Sequence, residues 1–225
     1  MLGRTNDTAA ILREFGVELQ GEGALRPLEF TDMDKAESAY IHHSRMPVAL
    51  AAFAAISPAF ARGRFPKVRL VDLVAKRPAM DENEAVALAE IGGVEVKPPF
   101  WSNRGPFCDH LSDICNRHHL WHPQHKGAGA FYLERDRPKT LEHFRPLGYN
   151  GEADLKQFRR VIKDMTEAQR ILAATIITLY RSDASDKTWL GRWSNWHAAD
   201  ALQIIRADAT LCADWHKLVA LYPGW

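Results

Sequence analysis

Apolar residues recur at helical spacing through much of this chain, most clearly in its last third. Leu155, Phe158, Ile162 and Met165 fall every three or four positions, which predicts one amphipathic helix. Thr166 and Gln169 form a capping box. The helix it opens carries Ile171, Leu172, Thr175, Ile176 and Leu179 as one stripe. A final helix is expected from near Ser194, with Leu202, Ile205, Ala209 and Cys212 inward. Three such antiparallel helices would pack as a bundle.

The front of the chain is more mixed. Thr8 to Phe15 reads as a short helix stopped by Gly16, followed by a strand over Val17 to Gln20 and the turn Gly21-Glu22-Gly23. Thr31 with Asp34 predicts a cap opening a helix to about His43, and Pro47 suits the first turn of an all-apolar helix ending at Ser57-Pro58. Val68 to Ala75 is short, rich in β-branched residues and flanked by prolines, so it is the best strand candidate, with Val94 to Lys97 as its partner. Asp81 and Glu84 cap a helix that runs to Ile91 and stops at Gly92-Gly93. Ala130 to Glu134 is a third strand. The pattern defines an α+β chain, predominantly helical, with a small sheet in the N-terminal half and an antiparallel helical C-terminal half. Residues 1–225 are read as a single domain, whose mixed front (1–150) and helical back (151–225) are not independent.

Composition narrows the class. The chain has 225 residues, 46% of them hydrophobic and 25% charged, which is ordinary for a soluble globular protein. Its 3 Cys follow no disulfide spacing, so a reducing, cytoplasmic setting is expected. The N-terminus has no signal-like apolar core. The longest apolar runs, Pro47 to Ile56 and Ile171 to Tyr180, are about half the length of a membrane span, so no membrane partner is expected. The net charge is +1, against the clear positive excess of most nucleic-acid wrappers.

The densest chemistry lies in CDHLSDICNRHHLWHPQH, residues 108–125, which hold two of the three Cys and five of the ten His. Thiolate and imidazole are zinc's preferred ligands. On a helix ended by Pro123, Cys108, Cys115, His119 and His122 share one face and can supply four tetrahedral ligands, with His110 or His118 as substitutes. The order Asp109-His110, Asn116, His119 resembles that of the ββα-metal nucleases, in order only, since the hairpin and long loop of that family have no room here. A metal-dependent hydrolase or nuclease is therefore one alternative function. Cys115 with His119, and His197 with Asp200, are spaced as catalytic pairs would be. No P-loop, nucleophile elbow, dinucleotide-binding glycine pattern or H-E-x-x-H motif is present in the sequence.

Two further features suggest binding. Five of the seven Trp lie in the last 37 residues. Trp189, Trp193 and Trp196 would form one stripe if Trp189 to Leu211 were a continuous helix, and such a stripe suits internal packing or a protein partner. Basic residues run through Arg62, Arg64, Lys67, Arg69, Lys76 and Arg77. A second set, Lys156, Arg159, Arg160 and Lys163, faces away from Leu155 and Ile162. These segments suit phosphates or an acidic protein surface. The leading expectation is a non-catalytic regulatory or inhibitory protein that docks a protein partner through Trp189, Trp193, Trp196, Arg159, Arg160 and Lys163, with a possible structural zinc. Nucleic-acid binding through residues 62–77 and 156–163 is the second alternative.

Overall fold

The computed structural model describes residues 5–21, 25, 27–35, 38, 46, 47, 50, 51, 63, 68–100, 104–120, 131–133, 144–146, 159–180 and 190–224. Helix α1 (Thr5–Glu14) ends at Gly16, whose φ of +68 is a left-handed conformation that glycine adopts without strain. Gly16 also lies against Asp32: its carbonyl accepts hydrogen bonds from the backbone N–H groups of Thr31 and Asp32. This seats the hairpin of β1 (Val17–Leu19) and β2 (Leu28–Phe30), antiparallel with Val17 opposite Phe30. The helix expected from a Thr31 cap instead has Asp32 at its start, where the carboxylate accepts from the Lys35 N–H at 3.2 Å. Of the Pro47 helix, residues 46, 47, 50 and 51 are described. They are helical, with Met46, Leu50 and Ala51 buried.

The strongest strand candidate is a helix. Residues Leu70–Val74 form α2, with Leu70, Val71, Leu73 and Val74 all buried. Four buried apolar residues out of five, with only Asp72 half-exposed, leave too little periodicity for a helix to announce itself. The start is held by Arg69 and Asp72: the Arg69 N–H donates to Asp72 Oδ2 at 3.3 Å, and the guanidinium Nε donates to the same oxygen at 2.8 Å. Strand-like pairing survives only at the entry to α2, where Leu70 N–H donates to Trp196 O and Ala198 N–H to Val68 O. Val94 to Lys97 is not a strand. A 3-10 turn at Arg77–Ala79 leads to α3 (Glu82–Ile91), whose Asp81/Glu84 capping box forms as expected. Helix α4 (Gly105–Arg117) ends before Pro123, the stop its sequence suggested. Strands β3 (Phe131–Leu133) and β4 (Phe144–Pro146) pair antiparallel.

In the back half, residues 159–164 are helical, and α5 (Glu167–Tyr180) opens on the Thr166/Gln169 box. Every residue of α5 from Ile171 to Leu179 is buried. The expected last helix is two. A 3-10 turn, Gly191–Asn195, precedes α6 (Ala198–Arg206), and α7 (Ala209–Leu221) begins on a new cap, where the Asp208 carboxylate accepts from Leu211 N–H at 2.9 Å. Ala209, expected inward, is exposed on this cap. Helix α7 packs against α3, α4, α5 and α6. One apolar cluster joins Met46 to Leu120 with Ile162 to Tyr222, so front and back share a core. Among the described residues, no helix is long and apolar enough to cross a membrane. The architecture is α+β and mostly helical.

Candidate functional site

The Cys/His segment does not assemble as its spacing suggested. Helix α4 ends at Arg117. His118 leaves it, and His119 takes a left-handed conformation, φ +53. Leu120 N–H then donates to Cys115 O at 2.8 Å and His119 N–H to Asn116 O at 3.4 Å, which is the Schellman pattern of a helix end. A non-glycine residue stands where the motif usually has glycine. The turn breaks the four-residue register: Cys115 is fully buried while His119 is exposed. Cys108 is buried too, among the apolar side chains of the main core. Burial pushes both thiols up, Cys115 well above the ordinary thiol range, so both favour the neutral form of a core residue. His122 lies outside the described residues. Among the described residues, no group of three or more His, Cys, Asp or Glu is placed to hold a metal ion.

The imidazoles of α4 meet a different partner, Asp214 of α7. His110 Nε2–H donates to the Asp214 backbone carbonyl at 3.0 Å. His118 Nε2 donates to the Asp214 carboxylate at 2.8 Å, and Arg117 donates to its other oxygen. Burial works to raise the Asp214 carboxyl, but the bonds from His118 and Arg117 outweigh it and hold the group below its ordinary value. Gln169 of α5 adds a bond from its side-chain amide to His118 O at 2.9 Å. Three helices are thus pinned at one point. Asp214 was not legible as a site residue, because it stands nearly a hundred positions from its partners in the chain.

A second buried imidazole, His216, lies on the next position but one of α7. Its Nδ1–H donates to Cys212 O at 2.8 Å. Complete burial holds its pKa down to about 4. The unfolded chain takes up that proton below about pH 6.5, while the folded chain refuses it until about 4. The neutral imidazole therefore contributes stability that is complete above the unfolded value and is lost as pH falls through that window. His110, also lowered by burial, acts in the same direction. Urea unfolding at pH 7 and pH 5 should differ by about 2 kcal/mol from His216 alone, and His216→Leu should flatten that slope. An unchanged slope in the variant would refute the assignment.

The basic run of residues 62–77 does not act as a unit. Arg62, Arg64 and Lys67 lie outside the described residues. Arg69 is tied to Asp72, and Lys76 is exposed. Arg77 is buried, 3% exposed, with its guanidinium turned inward. In the second basic segment Arg159, Arg160 and Lys163 are exposed and Ile162 is buried, although Arg159, three positions before Ile162, is not on the opposite face. Lys156 lies outside the described residues. Arg170 of α5 donates from Nε to Ile162 O at 3.1 Å and from Nη2 to Lys163 O at 2.7 Å, fixing the end of this helix. Beside it opens a concavity of about 350 Å³, lined among the described residues by Arg159, Lys163, Leu190, Gly191 and Arg192.

Gly191 and Arg192 belong to the turn that interrupts the tryptophan stripe. Gly191 has φ +56, and Trp196 is extended. The single continuous helix needed to align Trp189, Trp193 and Trp196 is therefore absent. Trp196 is half-buried against the main core, and the side chains of Trp189 and Trp193 lie outside the described residues. His197, proposed as a base with Asp200, occupies the N-cap position of α6, where its backbone pairs with Arg69. Arg192 was missed by sequence reasoning, and Gly191 was the available signal, since a glycine between tryptophans forces the chain to turn. No family model, curated protein or solved structure matches this chain.

Proposed function

We propose that this chain is a non-catalytic regulatory or inhibitory protein that docks an acidic segment of a protein partner on the basic face of residues 159–164 and the adjoining turn Gly191–Asn195. One observation carries the reading: among the described residues, three cations, Arg159, Lys163 and Arg192, line a concavity together with the buried Leu190. Guanidinium and ammonium groups at a surface stay charged at neutral pH, so they recognise anions and carry no proton in catalysis. The buried imidazoles His110 and His216 are each engaged with the backbone of α7, which supports a structural use for the groups that might otherwise serve as bases.

A nucleic-acid partner is the weaker reading. A duplex-binding surface commonly contacts about 6–10 phosphates. Here three of the described cations, Arg159, Lys163 and Arg192, line one small concavity, and Arg77 of the other basic segment is inside the core.

The test is a photo-crosslinking side chain at Arg160, exposed beside the cleft, compared with the same group at exposed Lys76. In host extract the Arg160 position should yield a discrete adduct that disappears when Lys163→Glu and Arg192→Glu are combined. Equal labelling from Lys76, or an Arg160 adduct indifferent to charge reversal, would overturn the proposal. An adduct removed by nuclease would transfer the function to nucleic-acid binding.

A further inference from the structure

We infer that the outer edge of β1 pairs antiparallel with β1 of a second copy of this chain, joining two hairpins into one four-stranded sheet. The alternation of an antiparallel ladder decides which groups can do so. Gln20 N–H donates to Pro27 O and Thr31 N–H to Gly16 O, both at 2.9 Å, so the bonded positions along β1 are the even ones. Val17 and Leu19, opposite Phe30 and Leu28, therefore turn their N–H and C=O groups away from β2. Among the described residues, these outward groups make no backbone hydrogen bond. Such an edge is a template for another strand, and β1 carries none of the lysine or proline that commonly blunts one.

Charge complementarity selects a second copy as the occupant. The edge borders a concavity of about 320 Å³, lined among the described residues by Ala9 and Arg13 of α1 and by Glu18, Leu19 and Gln20. Arg13 is exposed, and among the described residues it has no ionic partner. Glu18 stands directly opposite Glu29, a like-charge pair bridged by the Gln20 amide at 3.5 Å from Glu18 and 3.2 Å from Glu29. One wall thus wants an anion and the other a cation. A two-fold axis supplies both at once, because each copy receives what it offers. Arg13 of each copy meets Glu18 of the other. The register follows from the same charges. Centring the pair on Glu18 would set two carboxylates against each other. Centring it on Leu19 sets that apolar side chain against its equivalent, and Glu18 against Gln20, an acceptor against a donor.

The experiment is sedimentation equilibrium of the full chain over a range of concentrations, which should give a reversible monomer–dimer equilibrium. Arg13→Glu and Glu18→Lys should each weaken association about tenfold, because the axis turns one substitution into two like-charge contacts. Combined in one chain, the two reversals restore attraction with the signs exchanged and should recover most of the affinity, which a mere loss of folding would not do. Leu19→Pro removes an outward N–H and none of the β1–β2 bonds, so it should abolish the dimer while the circular dichroism of the fold persists. Amide exchange locates the contact: Leu19 N–H should gain protection as concentration rises, whereas Gln20 N–H, already bonded to Pro27 O, should not change. A chain that stays monomeric up to its solubility limit overturns the inference. So does a dimer indifferent to both charge reversals, or single reversals that the combined variant fails to rescue. If the monomer gains Leu19 protection only in host extract, the edge serves another protein and self-pairing falls.

Discussion

Gly92→Ala is expected to destabilise the fold by about 3 kcal/mol, at the upper end of what one inserted methyl usually costs in a packed core. The backbone would tolerate alanine, since Gly92 has φ −80. The obstacle is α7. A Cβ at residue 92 would lie 2.9 Å from His216 Nδ1 and closer still to the His216 Cβ and Cγ. Those atoms are the root of a fully buried side chain whose ring is hydrogen-bonded to Cys212 O and edge-on to Trp215. Trp215 is held in turn by its indole N–H bond to Thr175 at 2.7 Å. Neither ring can swing aside without breaking a buried bond, so α3 and α7 must separate. Urea denaturation measures the loss, and a double-mutant cycle with His216→Ala should recover only part of it, because alanine keeps the Cβ that lies nearest. Gly21→Ala is the control: it is left-handed but open, and should cost only about 1 kcal/mol. A Gly92→Ala midpoint no lower than that of the control would show that α7 is not seated against this glycine.

What could be read in the sequence was what is decided locally. The capping boxes at Asp81/Glu84 and Thr166/Gln169 formed because each needs only a backbone N–H and a side chain three residues away. The stripe of α5 was legible, although the helix proved buried on every face. Leu70–Val74 was not. A short run that is apolar and buried at four of five positions looks the same as helix or strand, and only the Arg69/Asp72 pair carried the helical signal. The Cys/His segment is a different case. Ligand type is written in the residues, but convergence depends on where the helix ends, and His119 ends it by adopting a conformation that glycine usually supplies. The basic face at Arg159, Arg160 and Lys163 was visible from periodicity. Its third cation, Arg192, was not, since folding brings it there from across a turn.

Arg77→Met should cost about 3 kcal/mol, and the reason lies at the far end of the chain. Helix α7 ends at Leu221, so its last carbonyls have no partner within the helix. Arg77 supplies one: Nε donates to Val219 O at 2.7 Å and Nη2 to Ala220 O at 2.8 Å. The fork of the guanidinium suits two adjacent carbonyls, and its charge opposes the negative end of the helix dipole. Burial lowers the Arg77 pKa to about 10, a reduction that leaves the group charged at neutral pH. Methionine fills similar volume but leaves Ala220 O without its guanidinium donor, and Val219 O with only the 3.3 Å bond from Tyr222 N–H. Each buried carbonyl so exposed to loss costs about 1–3 kcal/mol. Arg77→Lys should fall between, because one ammonium cannot span both oxygens in the same geometry. Calorimetric unfolding of the three proteins orders them: native, then lysine, then methionine. If methionine matched the native chain, the guanidinium would be a tolerated burial and α7 would owe its seat to apolar packing alone.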